Sequence, residues 1–422
     1  ESHCAASVKA ALRNLPHALG YPASHPSAMA PSRLWQSGTP HGGVPCGVAP
    51  NPTTNTFATP GLEPSTAISL SETADAPSET MNVNGRITSM STAPHLVVIG
   101  IGHVGSDVVT NAAALGLFSR ISLIDVDEKV RDGQALDNHQ ATAVAPAMTS
   151  TITAADYDAC RSADAIIISA GPSVLPDSYG GGHDSRNSLA QINSKVIREV
   201  MGNICQYTHS APIILITNPL DVNVHIAATE FDYPSNLVVG TGTALDSARL
   251  RRHLADWAGV SPDSVQAFML GEHGATAFPY LSHASIGGLT LAEATTALGL
   301  EPLSPEQVGN SVVQSAFDVL EGKGWTSSGI SKAAVSLARA MLLDQRSIHP
   351  VCTLADGVLG FHGEVSLSLP AVVGGHGVEH HLDIVLDEWE QEKLLASAAA
   401  VREVYESVRS SGNGTELNPR RG

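Results

Sequence analysis

Four polar side chains have the types and the spacing that acid–base chemistry on a small carboxylic acid requires. His273 lies between glycines in GEHGATAF, where small neighbours allow close approach of another group. Asp246 and Arg249 are three residues apart in GTGTALDSARLRRHL, so a helix here would place both on one face. Arg186 lies where a Gly-rich loop, GGGHDSR, runs into a predicted helix.

Each of these residue types suits one task. A histidine transfers protons well because its unperturbed pKa lies near neutrality, and a carboxylate bonded to its far nitrogen would stabilise the imidazolium. Asp246 is the candidate for that carboxylate. A planar guanidinium such as Arg249 can form two parallel hydrogen bonds to a substrate carboxylate. Arg186 could bring a second cation to a carbonyl oxygen as a loop closes. Taken singly, each residue also has an ordinary structural explanation, since the chain has 18 histidines and helix-surface ion pairs are common.

A nucleotide-binding loop precedes these residues. Gly100, Gly102 and Gly105 form G-x-G-x-x-G directly after HLVVI and at the head of a predicted helix. In this motif the first glycine allows a tight turn, the second lets a pyrophosphate approach the backbone, and the third lets helix and strand pack closely. The pyrophosphate would lie at the helix N-terminus, where free N–H groups favour anions.

Two further polar residues complete the predicted dinucleotide site. Asp125 ends the next predicted strand, where a carboxylate accepts hydrogen bonds from a ribose and repels a 2′-phosphate. The sequence therefore predicts NAD as the cofactor, with Asp127 as the alternative to Asp125. Asn218, in TNPLDV at the end of a later strand, could place its amide beside the nicotinamide.

Alternating strands and helices must position these residues. Short aliphatic runs with the character of strands buried on both faces occur at HLVVIG, RISLIDV, ADAIIISAG, APIILITNP and NLVVGTG. Helical stretches lie between most of them, which predicts an α/β fold with a Rossmann-type parallel sheet. A β-rich stretch near 348–374, followed by a helical segment near the C-terminus, predicts an α+β catalytic domain after the parallel-sheet domain. We expect an NAD-binding domain at 93–240, a substrate domain at 241–410 and a flexible tail at 411–422.

The N-terminal part has a different composition. Residues 1–92 are rich in Ala, Ser, Thr, Pro and Gly and lack clustered aliphatic residues, which predicts a disordered low-complexity extension. The chain begins at Glu1, and Met81 or Met90 precedes the first strand. The segment is therefore either an upstream extension of a protein that starts near Met81 or a transit peptide, although its arginine content is low for the latter.

The overall composition restricts the partners. Hydrophobic residues make up 43% of the chain and charged residues 15%, enough apolar surface for a large core. A formal net charge of −18 disfavours nucleic acids and anionic membranes but does not exclude small anionic substrates. The five cysteines are widely spaced and lack a metal-ligand pattern, which indicates free thiols in a reducing compartment. We therefore expect no metal site and a cytoplasmic location.

In order and spacing, the quoted segments resemble the lactate/malate dehydrogenase family from about residue 95 to 410. The resemblance rests on VVIGIGHVGS, LIDVDEKVRDGQALD, SRNSLAQIN, ITNPLDV, GTGTALDSARLR, LGEHG and GKGWTSSGI. It implies reversible, NAD-dependent hydride transfer at the second carbon of an L-2-hydroxy acid. It also implies that His273 gives and takes the proton, with Asp246 as its partner, while Arg249 binds the substrate carboxylate.

The same resemblance assigns three further residues and an assembly. Arg186 would polarise the substrate carbonyl, Asn218 would contact cofactor and substrate, and Thr326 would line the pocket. Of these, Thr326 is indicated by the resemblance alone. We also expect a homo-oligomer, a dimer or a tetramer.

The loop before Arg186 departs from the family pattern. In the family, a glutamine a few residues beyond the AG of this loop accompanies lactate, and an arginine accompanies malate. Here SAGPSVLPDSYGGGHDSR places Val174 at that position, or Leu175 if the gap falls differently. Neither side chain can pair with a second carboxylate, which disfavours malate. The long, Gly-rich loop suits a bulkier apolar substrate, and the pattern is most similar to the L-2-hydroxyisocaproate dehydrogenases.

Two alternatives remain open at this point. One is an L-lactate dehydrogenase of relaxed specificity. The other is a protein that binds NAD without catalysis, since a fold alone does not imply an activity. The joint presence of His273, Asp246, Arg249 and Arg186 favours an enzyme, because a binding module needs none of them.

Deletion of residues 1–80 should leave the steady-state kinetics unchanged, because every predicted catalytic and cofactor-binding residue lies after position 93. The truncated and full chains can be compared by their kcat and KM values for keto-acid reduction. A large loss of kcat in the truncated chain would show that the extension supports the fold or the site.

Overall fold

The computed structural model describes residues 94–144, 149–173 and 183–410, without the side chains of 183–187 and 410. The predictions made for residues 1–92 and 411–422, and those for Val174 and Leu175, lie outside this part of the chain.

A parallel sheet forms the first half of the described structure. Its strands are β1 (His95–Ile99), β2 (Arg120–Ile124), β3 (Thr151–Ala154), β4 (Ala165–Ile168), β5 (Ile213–Leu215) and β6 (Val238–Gly240). Their order across the sheet is β3-β2-β1-β4-β5-β6. This is the doubly wound order in which a dinucleotide binds at the point where the order reverses, between β1 and β4. The predicted Rossmann-type α/β fold is confirmed.

Six further strands follow along the chain. They are β7 (Val265–Leu270), β8 (Phe278–Ile286), β9 (Leu289–Thr290), β10 (Ser347–Val358), β11 (Phe361–Gly374) and β12 (Gly377–His381). The first three form a small antiparallel sheet. The last three extend the parallel sheet, because Cys352 of β10 pairs antiparallel with Gly240 of β6. One sheet thus continues across residue 240, and the predicted domain boundary there stays a prediction.

The helices in the described residues alternate with the parallel strands and then cover the later ones. They are α1 (His103–Leu115), α2 (Glu128–Ala141), α3 (His183–Ile204), α4 (Leu220–Thr229), α5 (Ala244–Ala258), α6 (Leu291–Leu298), α7 (Pro305–Lys323), α8 (Ser328–Leu342) and α9 (Glu388–Ser410). In the part of the chain described, none of them combines the length and the apolar composition needed to cross a lipid bilayer.

Apolar side chains cover both faces of the parallel sheet. In β1, Val97 and Ile99 join a core that includes residues of α3, α4 and α9. Leu96 and Val98 face the opposite side, in a core with residues of α1 and α8. Burial on both faces explains why β1 is a continuous aliphatic run and not an alternating one.

A third, smaller core joins α5 to β7. Two hydrogen bonds fasten these elements at one end: the Thr243 hydroxyl donates to the Met269 carbonyl at 2.5 Å, and the Met269 amide donates to the Ser247 hydroxyl at 2.8 Å. Leu250 and Leu254 of α5 pack beside Met269 in the same core. The start of α5 and the end of β7 are therefore held in a fixed relation.

Candidate active site

The glycine motif lies at the carboxyl end of β1. Gly100 has a φ of +88°, which favours glycine, and a Cβ there would come within 2.5 Å of the Ala170 backbone that follows β4. A Cβ on Gly105 would lie 1.9 Å from the Gly100 carbonyl oxygen. A Cβ on Gly102, by contrast, would meet no protein atom within 4 Å. The open space at Gly102, directly before α1, fits a pyrophosphate at the helix N-terminus.

Asp125 lies against this loop. Its Oδ2 accepts a hydrogen bond from the Ile101 amide at 2.5 Å, and its Oδ1 accepts from the Asp127 amide at 2.9 Å. Asp127, the alternative, instead caps α2 by accepting hydrogen bonds from the amides of Lys129 and Val130. Of the two carboxylates, that of Asp125 is the one in contact with the glycine loop.

One carboxylate joins the predicted proton-transfer histidine to the predicted substrate arginine. Asp246 Oδ2 lies 2.6 Å from His273 Nδ1, and Asp246 Oδ1 accepts a hydrogen bond from Arg249 Nη1 at 2.9 Å. The side chains of His273 and Arg249 are 22% and 15% exposed, so both are partly accessible to solvent. The bond at Nδ1 leaves His273 Nε2 as the atom that can face a substrate.

The charges of this group alter its proton affinities. Burial alone would lower the pKa of His273, but the Asp246 carboxylate, with help from Asp221, outweighs it and raises the pKa to about 9. Burial alone would raise the pKa of Asp246, yet the neighbouring His273 and Arg249 cations lower it below its usual range. At neutral pH the group is therefore an imidazolium and a guanidinium sharing one carboxylate.

The loop that carries His273 is fixed at its backbone. The His273 amide donates to Asp221 Oδ2 at 2.8 Å, and the amide of Glu272 donates to the Ser397 hydroxyl of α9 at 2.6 Å. Gly271 pairs with Ser368 of β11 through an isolated bridge. Asp221 and Ser397 were missed by the sequence reasoning. The signal for Asp221 was a charged residue in the first turn of a helix whose residues from Leu220 to Ala228 are all buried.

Asn218 lies at the carboxyl end of the sheet, between β5 and α4. The Thr217 hydroxyl donates to the Ala170 carbonyl at 2.7 Å, which ties this turn to the end of β4. Asn193 of α3, fully buried and also missed, donates from its amide to the Asn218 and Pro172 carbonyls at 2.6 and 3.1 Å. The Asn218 side chain itself is exposed at this edge.

Thr326 lies in the turn between α7 and α8. The preceding Trp325 stacks on His103 at the start of α1, with ring centroids 4.1 Å apart and planes 5° apart. Gly329 packs against Leu245, the residue before Asp246, so closely that a Cβ would come within 2.6 Å of it. The turn therefore lies between the glycine loop and the start of α5.

Arg186 and Val174 are not placed in the same detail. Arg186 belongs to the first part of α3, but its side chain lies outside the described residues, and Val174 lies outside them altogether. Their predicted roles stay predictions.

Comparison with known proteins identifies the family. A profile of the lactate/malate dehydrogenase NAD binding domain matches residues 95–240, and one of the lactate/malate dehydrogenase alpha/beta C-terminal domain matches residues 243–411. The chain belongs to the lactate/malate dehydrogenase family. It is an NAD-dependent hydroxy acid dehydrogenase, with NAD as its cofactor.

Relatives of this family resemble the chain over most of their length. L-lactate dehydrogenase 2 of Clostridium acetobutylicum is 36% identical over 75% of this chain and 98% of its own. L-lactate dehydrogenase of Selenomonas ruminantium is 37% identical over 76% and 99%. The crystal structure of Cryptosporidium parvum malate dehydrogenase superposes with a TM-score of 0.70 at 26% identity, covering 75% of this chain and 99% of that one.

Two glycine substitutions should separate folding from cofactor binding. Gly105→Ala should destabilise the protein strongly, because its Cβ would overlap the Gly100 carbonyl oxygen. Gly102→Ala should keep the wild-type Tm, because its Cβ meets no protein atom, but should weaken NADH binding at least about tenfold by filling the pyrophosphate space. Thermal unfolding and fluorescence titration with NADH measure the two effects. Wild-type NADH affinity in Gly102→Ala would place the pyrophosphate elsewhere.

Proposed function

We propose that the chain is an NAD-dependent L-2-hydroxy acid dehydrogenase whose preferred 2-keto acid carries an apolar side chain, as 2-ketoisocaproate does. The observation that supports the reaction is the pair of contacts from Asp246 to His273 and Arg249. The same chain has a glycine loop with open space at Gly102. The chain thus combines a proton donor and a carboxylate binder with a dinucleotide-binding loop.

Each residue has a separate task in this proposal. Bound NADH supplies the hydride that reduces the second carbon of the keto acid. Arg249 binds the substrate carboxylate with the N–H groups that Asp246 does not use. His273 donates its Nε2 proton to the carbonyl oxygen as that oxygen becomes a hydroxyl, and Asp246 stabilises the imidazolium before transfer.

The remaining predicted residues complete the pocket. Arg186 polarises the carbonyl oxygen, Asn218 contacts the cofactor and the substrate, and Thr326 and Val174 line the space for the substrate side chain. Asp125 accepts hydrogen bonds from the adenosine ribose, with Gly100, Gly102 and Gly105 forming the pyrophosphate loop.

The proposed substrate preference rests on the absence of a positive charge at one side chain. Val174, or Leu175, offers no partner to a second carboxylate, whose burial without a cation would be costly. The Clostridium and Selenomonas relatives are named L-lactate dehydrogenases, which favours an L-lactate dehydrogenase of relaxed specificity as the second candidate. The two candidates differ in the size of the apolar group they prefer.

We further propose a cytoplasmic homo-oligomer. Cys160, Cys205 and Cys352 are free thiols among the described residues, which agrees with a reducing compartment. Gel filtration with light scattering would determine the subunit number.

The pH dependence of keto-acid reduction should follow the protonation of His273. Reduction requires the imidazolium, so kcat/KM should be level below the His273 pKa of about 9 and decline about tenfold per pH unit above it. His273→Asn should abolish turnover at every pH and leave NADH binding almost unchanged. Turnover that survived in His273→Asn would disprove the proposed mechanism.

A panel of 2-keto acids tests the substrate class. With NADH, the kcat/KM values for 2-ketoisocaproate and phenylpyruvate should exceed those for pyruvate and oxaloacetate, and Val174→Arg should shift the preference toward oxaloacetate because it supplies the missing cation. Val174→Leu is the matched control and should not gain oxaloacetate activity. A wild-type preference for pyruvate would favour the lactate candidate, and one for oxaloacetate would contradict the apolar pocket.

A further inference from the structure

A second buried carboxylate lies beside the proton-transfer group. Asp221 is in the first turn of α4, and its neighbours from Leu220 to Ala228 are all buried. It is 2% exposed, and its Oδ2 accepts the hydrogen bond from the His273 amide at 2.8 Å. Its other oxygen, Oδ1, accepts no hydrogen bond from a nitrogen or oxygen among the described residues, and the Cys352 thiol is the neighbouring donor to the carboxylate.

This burial is energetically costly for a residue that only holds a backbone amide. An ionised carboxylate out of water loses several kcal/mol of hydration unless charges and hydrogen bonds compensate. A neutral amide or hydroxyl could accept the same hydrogen bond at a smaller cost. The feature that distinguishes an aspartate at this position is its negative charge, next to an imidazole that must carry a positive one.

We propose that Asp221 is a positioning residue of the proton-transfer site: its carboxylate fixes the His273 backbone and adds a second negative charge that favours the imidazolium. This inference rests on the proposed role of His273 as the proton donor. Asp221 does not touch the substrate in this scheme, and it acts through His273.

The charged and titratable groups around Asp221 and His273 are consistent with a positioning role for Asp221. His273 is faced by Asp246 and Arg249 from α5 and by Asp221 from α4. Asp221 is faced by Glu272 and His273 from the loop and by the Cys352 thiol from β10. Burial, together with Asp221, raises the pKa of Cys352 well above its usual range, so the thiol stays neutral and does not add a charge.

The two proton affinities leave a range in which both groups are charged. Burial, followed by the charge of Glu272, raises the pKa of Asp221 to about 7, while that of His273 is raised to about 9. Between these values a carboxylate and an imidazolium coexist, so removal of the carboxylate must lower the pKa of His273. Reduction needs the imidazolium and oxidation needs the neutral imidazole, so both pH profiles should move in the same direction.

Asp221→Asn tests the inference because it keeps an oxygen for the His273 amide and removes only the charge. In the full chain at saturating NADH, the alkaline decline of kcat/KM for the best 2-keto acid should shift to lower pH by about one unit. The acidic limb of the pH profile for the reverse oxidation should shift to lower pH by the same amount. Asp221→Ser, which also lacks the charge, serves if the asparagine variant does not fold, and should give the same shift.

The matched control is Asp256→Asn on α5. It removes one negative charge from an exposed ion pair with Arg252, away from His273, and should leave both limbs in place. If the pH profiles of Asp221→Asn or Asp221→Ser coincide with those of the wild type, even with a lower kcat, the inference is overturned. Asp221 would then have only a structural role. If His273→Asn kept its turnover, the proposed function itself would fail, which is a different result.

Discussion

The Asp246 carboxylate binds two cationic side chains at once, His273 through one oxygen and Arg249 through the other. Charge-assisted hydrogen bonds of this kind depend steeply on distance and angle. The start of α5 and the loop after β7 must therefore stay in register to within a few tenths of an ångström. The hydrogen bonds of Thr243 and Ser247 to Met269, with the apolar core beneath them, provide that rigidity.

The parallel sheet brings the cofactor loop next to the turn that follows β4. Strand order reverses between β1 and β4, and the turns that follow these strands meet where Gly100 contacts Ala170. The side chains of β1 are buried on both faces, and full burial of an aliphatic side chain contributes about 1.5–3 kcal/mol. A rigid sheet of this kind can hold the turns that carry Asp125 and Asn218 in fixed positions, as a cofactor site requires.

The fold by itself leaves the substrate open. A malate dehydrogenase and L-lactate dehydrogenases both resemble this chain over most of their length, so one scaffold serves substrates with one or two carboxylates. The carboxylate, the carbonyl and the hydride are common to all of them. In the proposed function, the difference is whether a cation faces the substrate side chain, and that proposal rests on Val174 or Leu175, which precede α3 in the sequence.

The sequence by itself determined the features that depend on local spacing. The glycine motif, the fully buried strand β1 and the i, i+3 pair of Asp246 and Arg249 could each be derived from a short segment, because backbone sterics and helix periodicity act locally. The resemblance added Thr326, whose position in a turn has no local signature.

Only the tertiary structure decided which distant groups meet. Ser397 supports the loop of His273 from 125 residues away, measured from Glu272, and Asp221 supports it from 52 residues away. The sequence favoured Asp125 and left Asp127 as the alternative, and the structure shows that Asp125 contacts the glycine loop while Asp127 caps a helix. Hydrogen bonds between elements depend on how helices and sheets pack in three dimensions, and no local pattern in the chain encodes that packing.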